Sequence, residues 1–513
     1  MTDASQVTLF NSMTRKLEPF EPLREDGVRI YTCGPTVYNY AHLGNLRAYV
    51  FGDTLRRVLQ WKGFDVVHVI NITDVGHLTS DADEGEDKVE VAARRANRSA
   101  YEITNYYTDA YFADLKLLGI RPAAMYPRAT EHIQEMIAFV QDLADKGLTY
   151  EIEDGLYFDT SKVADYGALG ALNLEAQQHG SRVAAHQDKR QPWDFCLWRR
   201  SPPDQRRLME WESPWGRGFP GWHLECSVMS HKYLDFPFDI HTGGVDHRQV
   251  HHCNEIAQNQ GYQNDDGSGV NYWLHCEFLV MREEKMSKSK GNFWRLQTLL
   301  DKGVHPLVYR FFLLQATYRT QLEFSKEGLV AARTGFDRIV RRLRGLLERT
   351  GDEGRQLADL SAEAESTTGG SFGYLRELYE QELDGGAAEA LERFDQAVSE
   401  DLGTPRGIAV LTSVVADPEI SDLDKLRLVG TFDLVLGLRL LTIEPEELNI
   451  RPDDAELTNE QIEALIAERK EARQSKDWSR ADELRDELAA AKVLVKDDRD
   501  AGETVWMWKP DLD

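Results

Sequence analysis

"VRIYTCGPTVYNYAHLGN", residues 28–45, is the stretch on which the fold of this chain turns. Its first seven residues, 28–34, read as a short strand of β-branched and aromatic side chains that stops at Gly34. "PTVYNYAHLGN" then supplies turn residues. From Leu46 onward the apolar positions Leu46, Tyr49, Val50, Phe51, Leu55, Val58 and Leu59 recur at three- and four-residue intervals, so a helix runs to about Gly63. "DVVHVINI", 65–72, is a second strand, almost continuously apolar and β-branched, as expected of a strand buried on both faces of a parallel sheet. Strand, loop, helix and strand make a βαβ unit. Its ligand site is expected beyond the carboxyl ends of the strands, where Cys33, His42, Thr73 and Asp74 fall.

The chain around this unit has 513 residues, which suggests three or four domains at roughly 100–200 residues each. Hydrophobic residues make up 42% and charged residues 29%, a globular balance, and the longest apolar runs, such as "GIAVLTSVVA", fall short of the roughly 20 residues a membrane span needs. No membrane association is therefore expected. The first residues lack a cationic segment followed by an apolar one, so the expected location is the cytoplasm. Five scattered cysteines (Cys33, Cys196, Cys226, Cys253, Cys276) argue against a disulfide framework and leave packing, metal ligation or chemistry. The net charge of −27 excludes a protein that coats nucleic acid indiscriminately, because such binding needs phosphate neutralisation over the whole surface. A local basic surface is still compatible with a specific nucleic-acid partner.

Further along, helical sequence is expected from about Asp83 to Leu118 and again after Pro127. Residues 150–220 change character, with short apolar runs and many turns, and read as an irregular insertion between two halves of the sheet. The strand-and-helix pattern resumes at "GWHLECSVMSHKYL", "FDIHTGGVD" and "HHCNEIAQNQ". Residues 303–349 read as helical, 351–373 as a Gly- and Ser-containing linker, and the region to about 440 as helices. Two amphipathic helices broken near Lys476 and Asp477 follow.

Three constellations carry chemistry. "AHLGN", 41–45, opens a helix, where unsatisfied backbone N–H groups and the dipole attract anions; Gly44 permits close approach, and His42 and Asn45 add side-chain donors. "REEKMSKSKGNF", 282–293, holds Lys285, Lys288 and Lys290, whose ammonium groups can stabilise the charge that builds on departing pyrophosphate. Taken alone, a lysine run is a solvated surface turn. The third is Cys33 and Cys226 with His251 and Glu255, the last two four apart on one helix face; two thiolates, an imidazole and a carboxylate suit a tetrahedral zinc ion. His252 rivals His251 as the i, i+3 neighbour of Glu255, whereas Cys253 lies about 200° around the helix from His251 and faces elsewhere.

The pairing of "HLGN" with "KMSKS" resembles the HIGH and KMSKS signatures of class I aminoacyl-tRNA synthetases, with Asn45 in place of the final histidine. "YTCGPTVYNYAHLGN", "GWHLECSVMS", "HHCNEIAQ" and "EKMSKSKGNF" are similar to segments of the cysteinyl-tRNA synthetase family, and the likeness extends over nearly the whole chain. It implies an α/β fold: a Rossmann-like parallel-sheet nucleotide-binding catalytic domain with an insertion, then a helical stem-contact region and a mostly α-helical anticodon-binding part. The corresponding boundaries are 1–149 and 220–280 for the catalytic halves, 150–219 for the insertion and 281–350 for the KMSKS loop and stem-contact helices. Residues 351–450 would form the anticodon-binding bundle and 451–513 a small terminal domain.

The resemblance also implies roles. Cys33, Cys226, His251 and Glu255 become the zinc ligands, which selects His251 over His252. Thr73, Trp222, His241 and Asp246 become the cysteine pocket. Gly34, Thr36, His42, Gly44, Asn45, Gly243 and Lys288 become the ATP site, with His42, Asn45, Lys285 and Lys288 acting in catalysis. Zn²⁺ would bind the substrate thiolate, and Mg²⁺ would accompany ATP. The partners implied are ATP, L-cysteine and tRNA(Cys), acting on a monomer. Serine is a much poorer zinc ligand and alanine offers none, so selectivity would reside in a bond that competitors cannot form. The pattern departs from the family at Cys253, usually glutamate, at "HTGGVDHRQVHH" for a common "HGGGxDLxFPHH", and at "NITDVGHLTSDADEGEDK" for a commoner "TDVDDK". Two rivals remain: a ligase passing activated cysteine to a small-molecule amine, and a non-catalytic zinc and nucleic-acid binding module.

Overall fold

The computed structural model of the protein describes residues 6–75, 87–171, 188–202, 206–281, 294–366, 371–381, 383–498, 503–510 and 512. An antiparallel pair, β1 (Thr8–Asn11) and β2 (Lys16–Pro19), precedes the βαβ unit of β3 (Val28–Thr32), α1 (Leu43–Trp61) and β4 (Val66–Ile70). β3 and β4 run parallel, with Ile30 opposite His68. The helical stretch that follows is divided into α2 (Lys88–Ala96) and α3 (Ala100–Leu117). Asn97 takes the left-handed conformation, φ 51°, that ends α2, and Ser99 with Glu102 forms the capping box that starts α3. α4 is Ile133–Asp145.

The insertion is more regular than its sequence suggests. β5 (Thr149–Ile152), β6 (Gly155–Phe158), β7 (Phe195–Arg200) and β8 (Gly218–Pro220) form a four-stranded antiparallel sheet in chain order. Its strands span three to six residues, and long connections separate β6 from β7 and β7 from β8. Short alternating patterns of this kind are hard to distinguish from turns in sequence.

The chain then returns to the first sheet with α5 (Trp222–Leu234), β9 (Phe238–Gly244), α6 (His251–Gln263) and β10 (Val270–Cys276). The order β10-β9-β3-β4 is parallel throughout. From β3 the chain steps one way to β4, while β9 and β10 lie on the other side, so the order reverses at the β3/β9 boundary. In open parallel sheets that crevice holds the ligand. Tyr31 stands opposite His241 there, and Thr32 opposite Thr242.

Beyond the sheet, β11 (Leu279–Met281) pairs in parallel with β12 (Leu322–Phe324) across α7 (Leu296–Asp301) and α8 (Pro306–Leu314). Helices Lys326–Thr350, Asp352–Ser366, Gly373–Glu380, Gly385–Ser399, Thr404–Ala416 and Asp422–Leu436 follow. The expected linker at 351–373 is thus mainly a helix. Leu357 and Phe372 are buried, and the Phe372 N–H donates to the Gln60 carbonyl of α1 at 2.9 Å. α1 lies between the sheet and this bundle, which is why polar Asp53, Arg56, Arg57 and Gln60 are buried on a helix of the catalytic half. Helices Asn459–Gln474 and Trp478–Ala490, broken at Lys476 (φ 60°), pack with a terminal hairpin around Ile462, Leu488, Val493 and Trp508. Among the described residues no helix is long and apolar enough to cross a membrane.

Candidate functional site

Cys33 is the first residue past β3, at the reversal point, and its N–H donates to the Thr242 carbonyl of β9 at 3.0 Å. The next residue must be glycine: a Cβ on Gly34 would lie 1.5 Å from the Asn71 carbonyl oxygen. Gly34 in turn donates its N–H to Asn71 Oδ1 at 2.7 Å. α5 brings Cys226, and one face of α6 brings His251 and Glu255. Ligand atoms of Cys33, Cys226, His251 and Glu255 all lie within 4.8 Å of one another, and all four residues are buried. His251 Nε2 is 3.4 Å from Cys226 Sγ and 3.0 Å from Glu255 Oε1. Those spacings suit a tetrahedral ion, whose ligands at about 2.0–2.3 Å sit roughly 3.3–3.8 Å apart. The donor set, two sulfurs with one imidazole and one carboxylate, is one that zinc accepts.

The electrostatics of the cluster are strong. Burial disfavours the charge on His251, yet the Glu255 carboxylate and Cys226 beside it hold the imidazole up to about 10. Burial likewise favours neutral Glu255, and the charges of His241 and His251 outweigh it, bringing the carboxyl down to about 2. A hydrogen bond from the Cys33 thiol, with His251 alongside, lowers Cys226, while burial raises Cys33 well above the ordinary thiol range. The second ring nitrogen of His251, Nδ1, meets His223 Nδ1 at 2.9 Å. With the proton on His251 Nδ1, its Nε2 lone pair is directed at the cluster.

A second donor set overlaps the first. Cys33 and Glu255 also meet the 4.8 Å spacing with His241 and His252. His252 Nε2 is 3.3 Å from Cys33 Sγ; its Nδ1 pairs with His275 Nε2 at 2.8 Å, and His275 Nδ1 with Ser12 Oγ at 2.8 Å. The rivalry between His251 and His252 seen in the sequence therefore persists in space. Cys253 is directed elsewhere, with Sγ 3.3 Å from the Arg248 carbonyl oxygen.

The residues expected to bind the amino acid gather around this cluster. Trp222 sets its ring 4.4 Å from that of His251. His241 stacks on Trp273 at 4.7 Å and has Nε2 2.9 Å from Glu255 Oε2. The Thr73 hydroxyl is buried, donating to Glu225 Oε2 at 2.9 Å and accepting from Asn71 Nδ2 at 3.1 Å. Asp246 is exposed and folds back over β9, its Oδ1 2.2 Å from where a Gly244 Cβ would sit. Gly243 is equally confined, since its Cβ would lie 2.7 Å from His247 Nδ1. Buried polar atoms here without a hydrogen-bond partner among the described residues include Glu225 Oε1, His241 Nδ1 and His247 Nδ1. Such atoms are rare in folded proteins and mark where a ligand or water belongs.

Sequence reasoning missed Asn71, Glu225, His223 and His275. Asn71 had a legible signal, a polar residue inside the apolar run "VVHVINI". Glu225 follows two buried helix positions and precedes Cys226; burial first, then Cys226, raises its carboxyl well above the ordinary range.

The start of α1 forms the other half of the site. His42 is the N-cap: its Nδ1 accepts the Asn45 N–H at 3.1 Å, and Asn45 Oδ1 accepts the His42 N–H at 3.1 Å. This capping box fixes the neutral His42 tautomer with its proton on Nε2 and turns the Asn45 amide nitrogen outward. The Gly44 N–H has no partner among the described residues. Thr36 pairs through its backbone with Thr73, just beyond the end of β4. Lys285 and Lys288 lie outside the described residues. Met281 and Trp294 flank that stretch, and the Trp294 carbonyl accepts the Leu43 N–H at 2.9 Å, so Trp294 abuts the start of α1.

Comparison with known proteins identifies the family. Residues 19–334 match the family model described as the tRNA synthetases class I (C) catalytic domain, and residues 456–504 match the cysteinyl-tRNA ligase anticodon binding domain. The cysteine-tRNA ligase of Zymomonas mobilis subsp. mobilis is 48% identical over 516 residues, covering 99% of each chain. That of Novosphingobium aromaticivorans is 49% identical over 512 residues, covering 99% of this chain and 97% of its own. Among solved structures, the Agrobacterium radiobacter K84 agnB2 LeuRS in ternary complex with tRNA and LeuAMS aligns with a TM-score of 0.54 at 12% identity, over 84% of this chain and 86% of its own, a likeness of fold. With near-complete coverage of these relatives at almost half identity, and with both family models matched, the chain belongs to the cysteine-tRNA ligase family of class I tRNA synthetases.

Proposed function

We propose that the crevice between β3 and β9 activates L-cysteine with ATP and that the chain passes it to the 3′-terminal ribose of tRNA(Cys). The observation that carries the reading is the buried Cys33, Cys226, His251 and Glu255 cluster, within 4.8 Å, beside a helix N-terminus built for anions. These four residues are the ones that would hold zinc, in preference to the overlapping set, because Cys226 adds a second soft sulfur. Bound there, zinc supplies a site that takes the substrate's sulfur as a thiolate, which serine and alanine cannot match.

The chain's own residues do the rest. Trp222 and His241 wall the side-chain pocket, Thr73 braces it through Glu225, and exposed Asp246 is available to the substrate ammonium. The substrate carboxylate oxygen attacks the α-phosphorus of ATP, a P–O bond to the β-phosphate breaks, and pyrophosphate leaves. The Gly44 N–H, His42 Nε2 and the Asn45 amide donate to the phosphates, with Gly34, Thr36 and Gly243 keeping the backbone close. Lys285 and Lys288 take the charge of departing pyrophosphate, and Mg²⁺ accompanies the nucleotide. A ribose hydroxyl of tRNA then attacks the mixed anhydride and AMP departs. Positioning and electrostatics carry both steps, since no protein nucleophile is needed.

The small-amine acceptor loses support because the C-terminal region resembles an anticodon-binding domain, which such an acceptor would not require. The deciding experiment is cysteine-dependent ATP–pyrophosphate exchange followed by tRNA charging, each with and without a zinc chelator. Both reactions should occur and both should fall on chelation. Exchange without charging would return the reading to a small-molecule ligase, and absence of exchange would end it.

A further inference from the structure

Three tyrosines and two arginines gather beside the start of α1 with no part in the chemistry above. Tyr40, two residues before the His42 cap, hydrogen-bonds through its hydroxyl to that of Tyr106 on α3. Ring centroids are 6.0 Å apart for Tyr40 and Tyr106, 5.0 Å for Tyr40 and Tyr107, and 5.2 Å for Tyr106 and Tyr107. Arg295 lays its guanidinium 4.3 Å from the Tyr40 ring centroid, and Arg98 lies 5.8 Å from that of Tyr106. Packing of a core would bury these rings, yet Tyr106 is 46% exposed. Cations interleaved with exposed aromatics are also unexpected on a chain of net charge −27. The acidic neighbours are Glu102, engaged by the Ser99 cap, exposed Asp109, and Asp114 near Arg295.

We propose that Tyr106, with Tyr40 and Tyr107, is a stacking platform for the unpaired 3′-terminal bases of tRNA, and that Arg98 and Arg295 pair with the phosphates between them. This inference rests on tRNA being the acceptor. Stacked aromatics flanked by arginines are the recurring way proteins hold single-stranded nucleic acid, because every base has a π-face and every linkage a charge. The platform is also continuous with the activation site. Trp294, which accepts the Leu43 N–H, immediately precedes Arg295, so a strand lying on the tyrosines ends at the helix start where the ribose must meet the adenylate.

The test compares wild type with Tyr106→Ala, Tyr106→Phe and Tyr101→Ala on intact tRNA(Cys) and on the same tRNA trimmed of its unpaired 3′ nucleotides. Loss of one stacked base predicts a fall of about 5- to 150-fold in kcat/KM for charging intact tRNA with Tyr106→Ala, no fall with Tyr101→Ala, whose side chain stands about 140° around α3 from Tyr106, and retention with Tyr106→Phe. Trimmed tRNA, used as a competitive inhibitor, should bind Tyr106→Ala and wild type equally. Cysteine-dependent exchange, in which tRNA takes no part, is the internal control. Equal charging by Tyr106→Ala and wild type, or a deficit that persists against trimmed tRNA, overturns the platform while leaving the proposed function intact. Failure of wild type itself to charge tRNA overturns the function instead.

Discussion

Two buried polar clusters, some distance apart along α1 and the sheet, are both built from ionisable side chains and end in opposite states. At the junction with the helical bundle, Asp53 Oδ2 accepts from Arg57 Nε at 2.7 Å and Arg310 Nη2 at 2.6 Å, and Asp53 Oδ1 accepts the Arg121 N–H at 3.0 Å. The remaining nitrogens of the two arginines donate to the Leu434, Gly119, Leu436 and Leu118 carbonyls, at or just past helix C-termini where cations are favoured. Every nitrogen of the two guanidinium groups and both Asp53 oxygens have a partner. The cluster around Cys33 is left incomplete, with buried polar atoms of Glu225, His241 and His247 lacking partners among the described residues. A closed polar cluster holds domains together, and an incomplete one is held ready for a ligand.

Removing a sulfur tests the open cluster first. Cys226→Ala should lower cysteine-dependent exchange by roughly 10³–10⁵-fold, while urea unfolding of the metal-free protein changes by less than about 1.5 kcal/mol. Activity kept in this variant and lost in His252→Ala would move the metal to the overlapping donor set. Next in size, Asp53→Ala strands two buried guanidinium groups and should cost about 3–5 kcal/mol of stability, read from the urea midpoint. A cost below about 1 kcal/mol would show that the helix carbonyls alone suffice.

The same trio predicts a pH dependence. Burial opposes the Asp53 charge, but Arg57 and Arg310 outweigh it and hold the carboxyl well below the usual range. A depressed folded-state value means that the stabilisation is fully present above the unfolded value of about 3.9 and is lost as pH falls below it. Wild type and Asp53→Asn should therefore differ most near pH 7 and converge as pH falls from about 4 to 2, measured by urea titration. A gap independent of pH would refute the ion-pair account. Smaller again, His223→Ala removes the partner of His251 Nδ1 and should weaken zinc binding about 10- to 100-fold against a competing chelator. Smallest, Trp61→Phe deletes the 3.0 Å bond from Nε1 to Thr431 Oγ1 across the junction and should cost about 1 kcal/mol.

The two clusters were not equally legible. Cys33, Cys226, His251 and Glu255 stand out because sulfur, imidazole and carboxylate at helical spacing are unusual in an apolar setting. The Asp53 trio reads in sequence as an ordinary i, i+4 surface pair with Arg57, since nothing local reveals that α1 is covered on its outer side. The helix at 352–366 was hidden for the same reason: its Gly and Ser content suggests a linker, and it is the bundle that gives Leu357 a place to be buried. The strands of the insertion escaped because they are short and lie among long irregular connections, without the intervening amphipathic helix that marks β3 and β4 as a βαβ unit.

What the sequence determined by itself is the βαβ unit, the helix start at "AHLGN" and the identity of the donor atoms, because period, turn residues and side-chain chemistry are local properties. Only the tertiary structure decided which donors meet. Parallel pairing of β3 with β9 and packing of α5 against α6 bring positions more than two hundred residues apart within a few ångströms, and the same packing leaves two histidines, His251 and His252, both within reach. Long-range closure of this kind depends on how buried faces match, a property of the assembled chain rather than of any stretch of it.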